Sequence, residues 1–206
     1  MSTAKETGGE ETPWGEVTPE AARRLLVAAV DAFAERGYHA TTTRDIAGRA
    51  GMSPAALYIH YKTKEELLHR ISRIGHDRAL LLLQTEADSG GTAAERLAGA
   101  VRSFVRWHAE RHTTARVVQY ELDALGEEHR AEILALRRKT DAVVRRIISD
   151  GCARGVRRPR RPGHHTRSAV PVHRCGALVQ RAGSRTPEEV GALYADLVLR
   201  MVAAQK

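Results

Sequence analysis

The chain has 206 residues, of which 42% are hydrophobic, 28% charged and only 4% aromatic; that is enough length for one large or two small domains with a buried core. The balance excludes a disordered or collagen-like chain and disfavours an all-β sandwich. The net charge is +8, but nine arginines and no acid fall between residues 151 and 186, so the remainder is close to neutral.

No apolar run approaches the roughly 20 residues of a membrane helix, and residues 1–15 lack the apolar stretch of a secretion signal. Two cysteines, Cys152 and Cys175, are too few for a disulfide framework. The expectation is a soluble, cytoplasmic, mostly helical protein.

Residues 1–18 read as a flexible tail, broken by Gly8, Gly9 and Pro13. Thr18 as N-cap and Pro19 at the first helical position then open an amphipathic helix. Ala21, Leu25, Ala28, Ala29, Ala32 and Phe33 recur at helical spacing until Gly37 stops it. Two short helical segments follow with almost no linker. Thr42 and Asp45 form a capping-box pair, with Ile46, Ala47 and Ala50 facing inward. Gly51-Met52-Ser53 is a tight turn; Ser53 caps and Pro54 opens a helix over 55–61 with Leu57 on its inner face. A further capping box, Thr63 with Glu66, starts a longer helix through Leu67, Leu68, Ile71 and Ile74.

The rest reads as helices over 92 to about 112, 113–125, 127 to about 153, and 186–204, with no convincing strand or internal repeat. Their apolar faces carry Leu97, Val101, Phe104 and Val105; then Ile133, Leu136, Val143 and Ile147; then Val190, Leu193, Tyr194, Leu197, Val198 and Met201.

Two short helices joined by a glycine turn and backed by a supporting helix form the helix-turn-helix pattern. The DNA major groove, about 12 Å wide, accepts one α-helix whose first turn reaches base edges. Ser53, Pro54, Ala55 and Ala56 are small enough for close approach, and Tyr58 can lie on a thymine methyl or bond a phosphate. Thr42, Thr43 and Arg44 offer hydroxyls, a guanidinium and N–H groups to the backbone, while His60, Lys62, Thr63 and Lys64 bracket the other side. Two capped helices can equally belong to any bundle, and Tyr61, Ile46, Ala47 and Leu57 read as structural. Charge decides: residues 19–64 hold seven Lys and Arg against four acids, and a buried bundle element would not gather Arg44, His60, Lys62 and Lys64 around one helix end. Ala55 and Ala56 offer no hydrogen bonds, so phosphate contacts should dominate affinity. Loss of Lys64 is expected to flatten the salt slope by about one unit.

The run Thr41-Thr42-Thr43-Arg44-Asp45-Ile46-Ala47, then Ala50-Gly51-Met52-Ser53-Pro54-Ala55-Ala56-Leu57-Tyr58, then His60-Tyr61-Lys62-Thr63-Lys64-Glu65-Glu66-Leu67-Leu68 resembles the N-terminal domain of TetR-type (tetracycline-repressor-like) transcriptional regulators. Helix 1, ending Phe33-Ala34-Glu35-Arg36-Gly37-Tyr38, matches in form, and the resemblance covers about residues 20–70. It implies an all-α homodimer on a palindromic double-stranded DNA operator, with residues 19–70 as the DNA-binding domain. Residues 71–206 would then form a helical domain for dimerisation and for an unidentified small-molecule effector, most often making the protein a repressor.

Phe104, Trp107, His108, Val117, Gln119, Tyr120, Leu122, Leu136, Thr140 and Val144 are candidates to line the effector cavity, although most read equally well as core. Phe104, Trp107, His108 and Tyr120 stand out, because an apolar pocket uses few polar groups to orient its ligand. His108 and His112 lie four apart, but with no third ligand at fixed spacing no metal or other cofactor is expected.

Residues 155–185 break the pattern. Pro159, Pro162 and Pro171 with Gly163, Gly176 and Gly183 interrupt every helical window, where the resemblance requires a long interface helix. Compensating frame changes in the coding sequence would account for this. If the segment is genuine, poor order around 156–170 and a weakened dimer interface are expected. The alternatives are an arginine-rich loop binding nucleic acid non-specifically, which would make the chain an architectural DNA-binding protein, and a metal site of His164, His165, His173 and Cys175, which the flanking arginines oppose. No phosphate loop, nucleophile elbow, zinc-protease motif or paired catalytic carboxylates occur, so no enzymatic activity is expected.

Overall fold

The computed structural model describes residues 14–153 and 185–203. Every regular element among them is helical: α1 (Glu20–Arg36), α2 (Thr43–Arg49), α3 (Pro54–His60), α4 (Lys64–Ala87), α5 (Ala93–Glu110), α6 (His112–Tyr120), α7 (Glu127–Ala153) and α8 (Pro187–Ala203), with a 3-10 turn at Leu122–Ala124. The chain is therefore all-α, a three-helix unit followed by a helical domain.

The first unit closes around side chains from four helices. Leu25 and Leu26 of α1, Ile46 of α2, Leu57 of α3 and Leu67, Leu68 and Ile71 of α4 are completely buried together. Two expectations for its entry shift. Pro19 sits at the N-cap, not the first helical position, and α1 starts at Glu20. Within the segment expected to be flexible, Trp14 and Val17 are instead buried in the same core, joined by a Val17 N–H to Trp14 carbonyl bond of 3.0 Å. One indole offers enough apolar area to dock an otherwise polar segment.

Helix α4 runs well past Ile74 to Ala87, so one continuous helix carries Leu67 and Leu68 into the first unit and Ala79, Leu80 and Leu83 into the second. It packs there against α5 and α7. Helix α6 ends at Tyr120, and the segment expected to remain helical to 125 tightens into the 3-10 turn.

Helix α8 lies along α5, with Val190 buried against Val105 and with Val101 and Tyr194 beside them. The approach requires Gly191, where a Cβ would come within 2.8 Å of the Arg102 carbonyl oxygen. Thr186 and Glu189 cap α8 reciprocally, the Thr186 N–H donating to Glu189 Oε2 at 2.8 Å and the Glu189 N–H to Thr186 Oγ1 at 3.3 Å. Residues 154–184 lie outside the described residues, and with them the frame-change reading, the expected poor order of 156–170, the arginine-rich loop and the His164, His165, His173 and Cys175 alternative. Among the described residues no helix is long and apolar enough to cross a membrane.

Candidate nucleic-acid interface and effector cavity

The reading head is assembled by local hydrogen bonds. At the start of α2 the Thr42 hydroxyl accepts the Asp45 N–H at 3.1 Å, and the Asp45 carboxylate accepts the Thr42 N–H at 2.9 Å. The Thr42 hydroxyl also donates to Asp45 Oδ2 at 2.7 Å, and this bond, with that from the Thr42 N–H, holds the Asp45 pKa below its ordinary value. At its end, Gly51 takes φ +66°, the Met52 N–H reaches the Ala47 carbonyl at 2.8 Å and the Gly51 N–H reaches Gly48 at 3.0 Å, the double bond of a Schellman turn. The Arg24 guanidinium caps the Ala50 carbonyl from α1. The Ser53 hydroxyl accepts the Ala56 N–H at 3.2 Å, and Pro54 opens α3. Behind α3, Tyr61 is buried and donates to the Ala22 carbonyl at 3.3 Å, a structural role. At α4 only half of the expected capping box forms. Thr63 accepts the Glu66 N–H at 3.0 Å, while the Glu66 carboxylate reaches back to the Lys62 N–H at 2.8 Å instead of that of Thr63.

The outer surface gathers most of the predicted DNA-contacting residues. Thr42, Arg44, Ser53, Pro54, Ala55, Tyr58, Lys62 and Thr63 are exposed, while Thr43, Ala56, His60 and Lys64 are half-buried. Tyr58 is 50% exposed, and its hydroxyl is 3.0 Å from the Thr43 hydroxyl, which pins the ring between α2 and α3. Ile59, not singled out from the sequence, is 80% exposed on α3. An isolated apolar side chain beside Tyr58 is suited to thymine methyl contact.

The cations divide by partner. Arg36 pairs with Asp45 at 3.3 Å, and Arg49 pairs with Glu35, whose carboxyl it holds below the ordinary value. Arg44 and Lys62 form no ion pair among the described residues and stay available to phosphate. Lys64, expected to meet phosphate, has a structural role in this chain. Its ammonium donates to the carbonyls of Tyr38, His39 and Thr41 at 2.8, 3.4 and 2.9 Å, and lies 4.3 Å from the Tyr38 ring centroid. All three donors are committed to bracing the α1–α2 loop.

A second feature lies between α4, α5, α6 and α7. A cavity of about 40 Å³ is lined by residues that include His76, Phe104, Trp107, His108, Val118, Gln119, Arg137 and Thr140. Phe104, Trp107 and His108 thus come together as expected, with Phe104 and His108 stacked at 4.0 Å and the His108 ring edge-on to Trp107 at 4.8 Å. Tyr120 does not join them. It is 70% exposed at the C-terminal end of α6, where the helical turn points it away from the cavity. Val117 and Leu136 are buried packing residues instead, with Leu122 and Val144 half-buried against the same core. His112 is exposed, and no cluster of three or more metal-ligating side chains occurs among the described residues.

Sequence reasoning missed His76 and Arg137. The His76 Nδ1–H donates to the Ser72 carbonyl at 2.7 Å, leaving Nε2 to accept the Arg137 Nε–H at 3.1 Å. Burial pushes the Arg137 pKa down.

Residues 90–202 match the family model described as the tetracyclin repressor-like C-terminal domain, and residues 25–71 match that of bacterial regulatory proteins of the tetR family. The chain belongs to the TetR family of DNA-binding transcriptional regulators. A TetR-family regulatory protein from Rhodococcus RHA1 superposes with a TM-score of 0.76 at 38% identity, covering 90% of this chain and 98% of that one. The ketosteroid transcriptional regulator KstR2 of Mycobacterium tuberculosis gives 0.71 at 25% identity, with 90% and 95% covered. The transcriptional repressor KstR2 of Mycolicibacterium smegmatis is 32% identical over 136 residues, which is 66% of this chain and 66% of that relative, just under two thirds of its length.

In this TetR-family chain the reading head and the cavity share walls. Helix α6 lines the cavity with Val118 and Gln119, while its Arg116 donates to the Ala34 carbonyl near the end of α1 and Glu121, just beyond α6, accepts the Tyr38 N–H at 3.2 Å. Helix α7 adds a second tie. The Glu65 carboxylate in the first turn of α4 accepts the Gly126 N–H at 2.9 Å and lies 2.8 Å from His129 Nδ1. His129 stacks on His69 at 3.7 Å, and His69 Nε2 lies 2.8 Å from Glu132 Oε2.

Proposed function

We propose that the chain is an effector-responsive repressor, working as a homodimer on a palindromic operator in the bacterial cytoplasm. The observation that carries this reading is the double duty of α6. One side of it walls the cavity, and Arg116 and Glu121 hold the end of α1 and the loop into α2. A ligand that enlarges the cavity moves that wall, and with it the aim of α3.

The small size of the cavity supports a two-state account. About 40 Å³ has room for one or two waters, far below the several hundred Å³ of an ordinary ligand site. An effector therefore favours an expanded state over the present one, shifting the population by its differential affinity. In the DNA-bound state two copies of α3 would enter successive major grooves about 34–36 Å apart; the expanded state would misalign them.

Dimerisation is supported by α8, where Leu193, Leu197 and Met201 form an exposed apolar stripe at four-residue spacing. Arg44, Lys62, Thr43, Tyr58 and Ile59 would make the DNA contacts, with Ser53 and Thr42 as helix caps. The repressor sign is carried by the name of the KstR2 relatives.

Selection of duplexes from a random pool by the full-length protein tests the reading. It expects a dyad-symmetric consensus and a dimer in sedimentation, both lost in the Leu193→Glu/Leu197→Glu variant. Selection without a consensus, with the variant binding as the parent does, overturns it and favours the non-specific mode.

A further inference from the structure

Arg137 is the cavity's one fixed cation among the described residues, and its charge is not neutralised there. Its Nε–H is taken by the neutral Nε2 of His76. Its Nη2 reaches the Val118 carbonyl and Gln119 Oε1 only at 3.5 Å, the outer limit of a hydrogen bond. Nη1 donates to no group among the described residues. All of these partners are neutral acceptors, and among the described residues no carboxylate comes within ion-pair distance. Asp123 and Asp141 act on Arg137 only from further away, and Asp123 is already paired with Arg130 at 3.0 Å. A guanidinium does not shed its proton at physiological pH, so burial leaves a standing charge beside the apolar faces of Phe104, Trp107 and Val118.

A partly buried cation without a counter-ion is costly for the protein alone. The same arrangement binds an anion strongly, because a guanidinium presents paired N–H groups to carboxylate or phosphate oxygens. We propose that the cavity takes an amphipathic anion whose acidic group, carboxylate or phosphate, pairs with Arg137 while its apolar body extends along Phe104, Trp107 and Val118. This rests on the effector-responsive reading of the cavity and adds the chemical class of the effector.

The proposal also supplies a trigger. In the closed state Arg137 tethers α7 to α6 through the long contacts from Nη2. An anion competes for those N–H groups and releases the Val118 carbonyl and Gln119 side chain. The freed wall is the helix that bears Arg116 and leads to Glu121. His76, with its Nδ1–H held by Ser72, keeps the Nε edge of the guanidinium fixed, so the opposite edge faces the ligand.

The test uses three probes of equal chain length below their micellar concentrations: decanoate, decyl phosphate and decanol. Binding to the full-length protein is read by calorimetry and melting temperature, and release of the selected duplex is read separately. One or both anions are expected to bind the parent and raise its melting temperature, since a ligand of the native state must do so; decanol should bind at least about 10-fold more weakly. The stronger anion identifies carboxylate or phosphate as the partner. Arg137→Met should lose about 10- to 100-fold in anion affinity, the worth of a charge-assisted hydrogen bond, with decanol affinity unchanged, and Arg137→Lys should recover part of the loss. Circular dichroism of both variants guards against simple unfolding, and the Lys variant keeps the test decisive if the Met variant does not fold.

Decanol binding as tightly as decanoate and decyl phosphate, or Arg137→Met binding the anions as the parent does, overturns the proposal. Decanol alone binding and releasing DNA sinks the anion assignment and leaves the regulator reading standing. Anion binding at Arg137 without DNA release upholds the site and sinks the regulatory reading.

Discussion

The helix-turn-helix head and the cavity between α4, α5, α6 and α7 are built by opposite means. The head is local. Its caps, its Schellman turn and its proline-opened helix satisfy polar groups within a few residues of one another, so α2 and α3 are held even though each has only 7 residues. The cavity is assembled from a distance: Arg137 meets His76 across 61 residues, and Phe104, Trp107 and Val118 arrive from two further helices. The head is thus specified as a rigid shape, while the cavity is a junction whose size depends on how four helices lie. Rigidity suits reading DNA and adjustability suits sensing a ligand.

The largest effect is expected from stripping the head of Arg44 and Lys62, two cations without an ion pair among the described residues. Arg44→Ala with Lys62→Ala should weaken binding to the selected duplex by about 100-fold and lower the salt slope by roughly two units, one for each phosphate contact. An unchanged slope would mean that neither residue meets phosphate. In the second unit, Gly191→Val drives a side chain toward the Arg102 carbonyl, where even a Cβ would stand 2.8 Å away. A loss of roughly 1–3 kcal/mol is expected from overpacking. It should appear in the melting curve and in sedimentation as a weaker dimer, while the fold of the reading head, reported by amide exchange, stays intact.

Lys64 sharpens the boundary between support and recognition. Lys64→Met removes a cationic donor from three carbonyls and should cost roughly 1–3 kcal/mol, lowering the melting temperature with little change in salt slope. A pure phosphate contact would do the reverse, leaving stability alone and flattening the slope by about one unit. Thr42→Ala removes one cap of α2 and should cost about 1 kcal/mol, seen as faster amide exchange at Asp45.

The smallest effect is in pH. The Asp45 carboxyl is held below its ordinary value mainly by its bonds to Thr42. Its stabilisation is therefore present above the unfolded pKa near 4 and is lost as pH falls through the lower folded value. The gap in melting temperature between the parent and Asp45→Asn should narrow from pH 6 to pH 3. A constant gap would show that the carboxylate's charge contributes nothing.

What could be read from the sequence follows the same division. Thr42 with Asp45, Ser53 with Pro54, and the turn glycine at 51 are signals within four residues, and helix boundaries near them were legible to within a residue or so. Tyr61 and Leu57 could be placed inside from helical spacing alone. The bracing bonds of Lys64 were not legible, because its acceptors lie 23 to 26 residues upstream, beyond any local pattern. Tyr120 looked like cavity lining because it is a polar aromatic beside Val117 and Val118, yet it ends α6 on the outside. Trp14 belonged to the core despite its polar neighbours. His76 and Arg137 carried no sequence signal at all, since a histidine and an arginine on separate long helices gain meaning only when those helices pack.

As a regulator of the proposed kind, the protein must place α3 in the major groove as one of a symmetric pair. Guanine N7 projects into that groove, so methylation interference across a selected duplex tests it most directly. Two dyad-related clusters of interfering guanines, one helical turn apart on one face, are the predicted result, and both should vanish for Tyr58→Ala with Ile59→Ala. Interference spread evenly along the duplex, or unaffected by that double change, would contradict it.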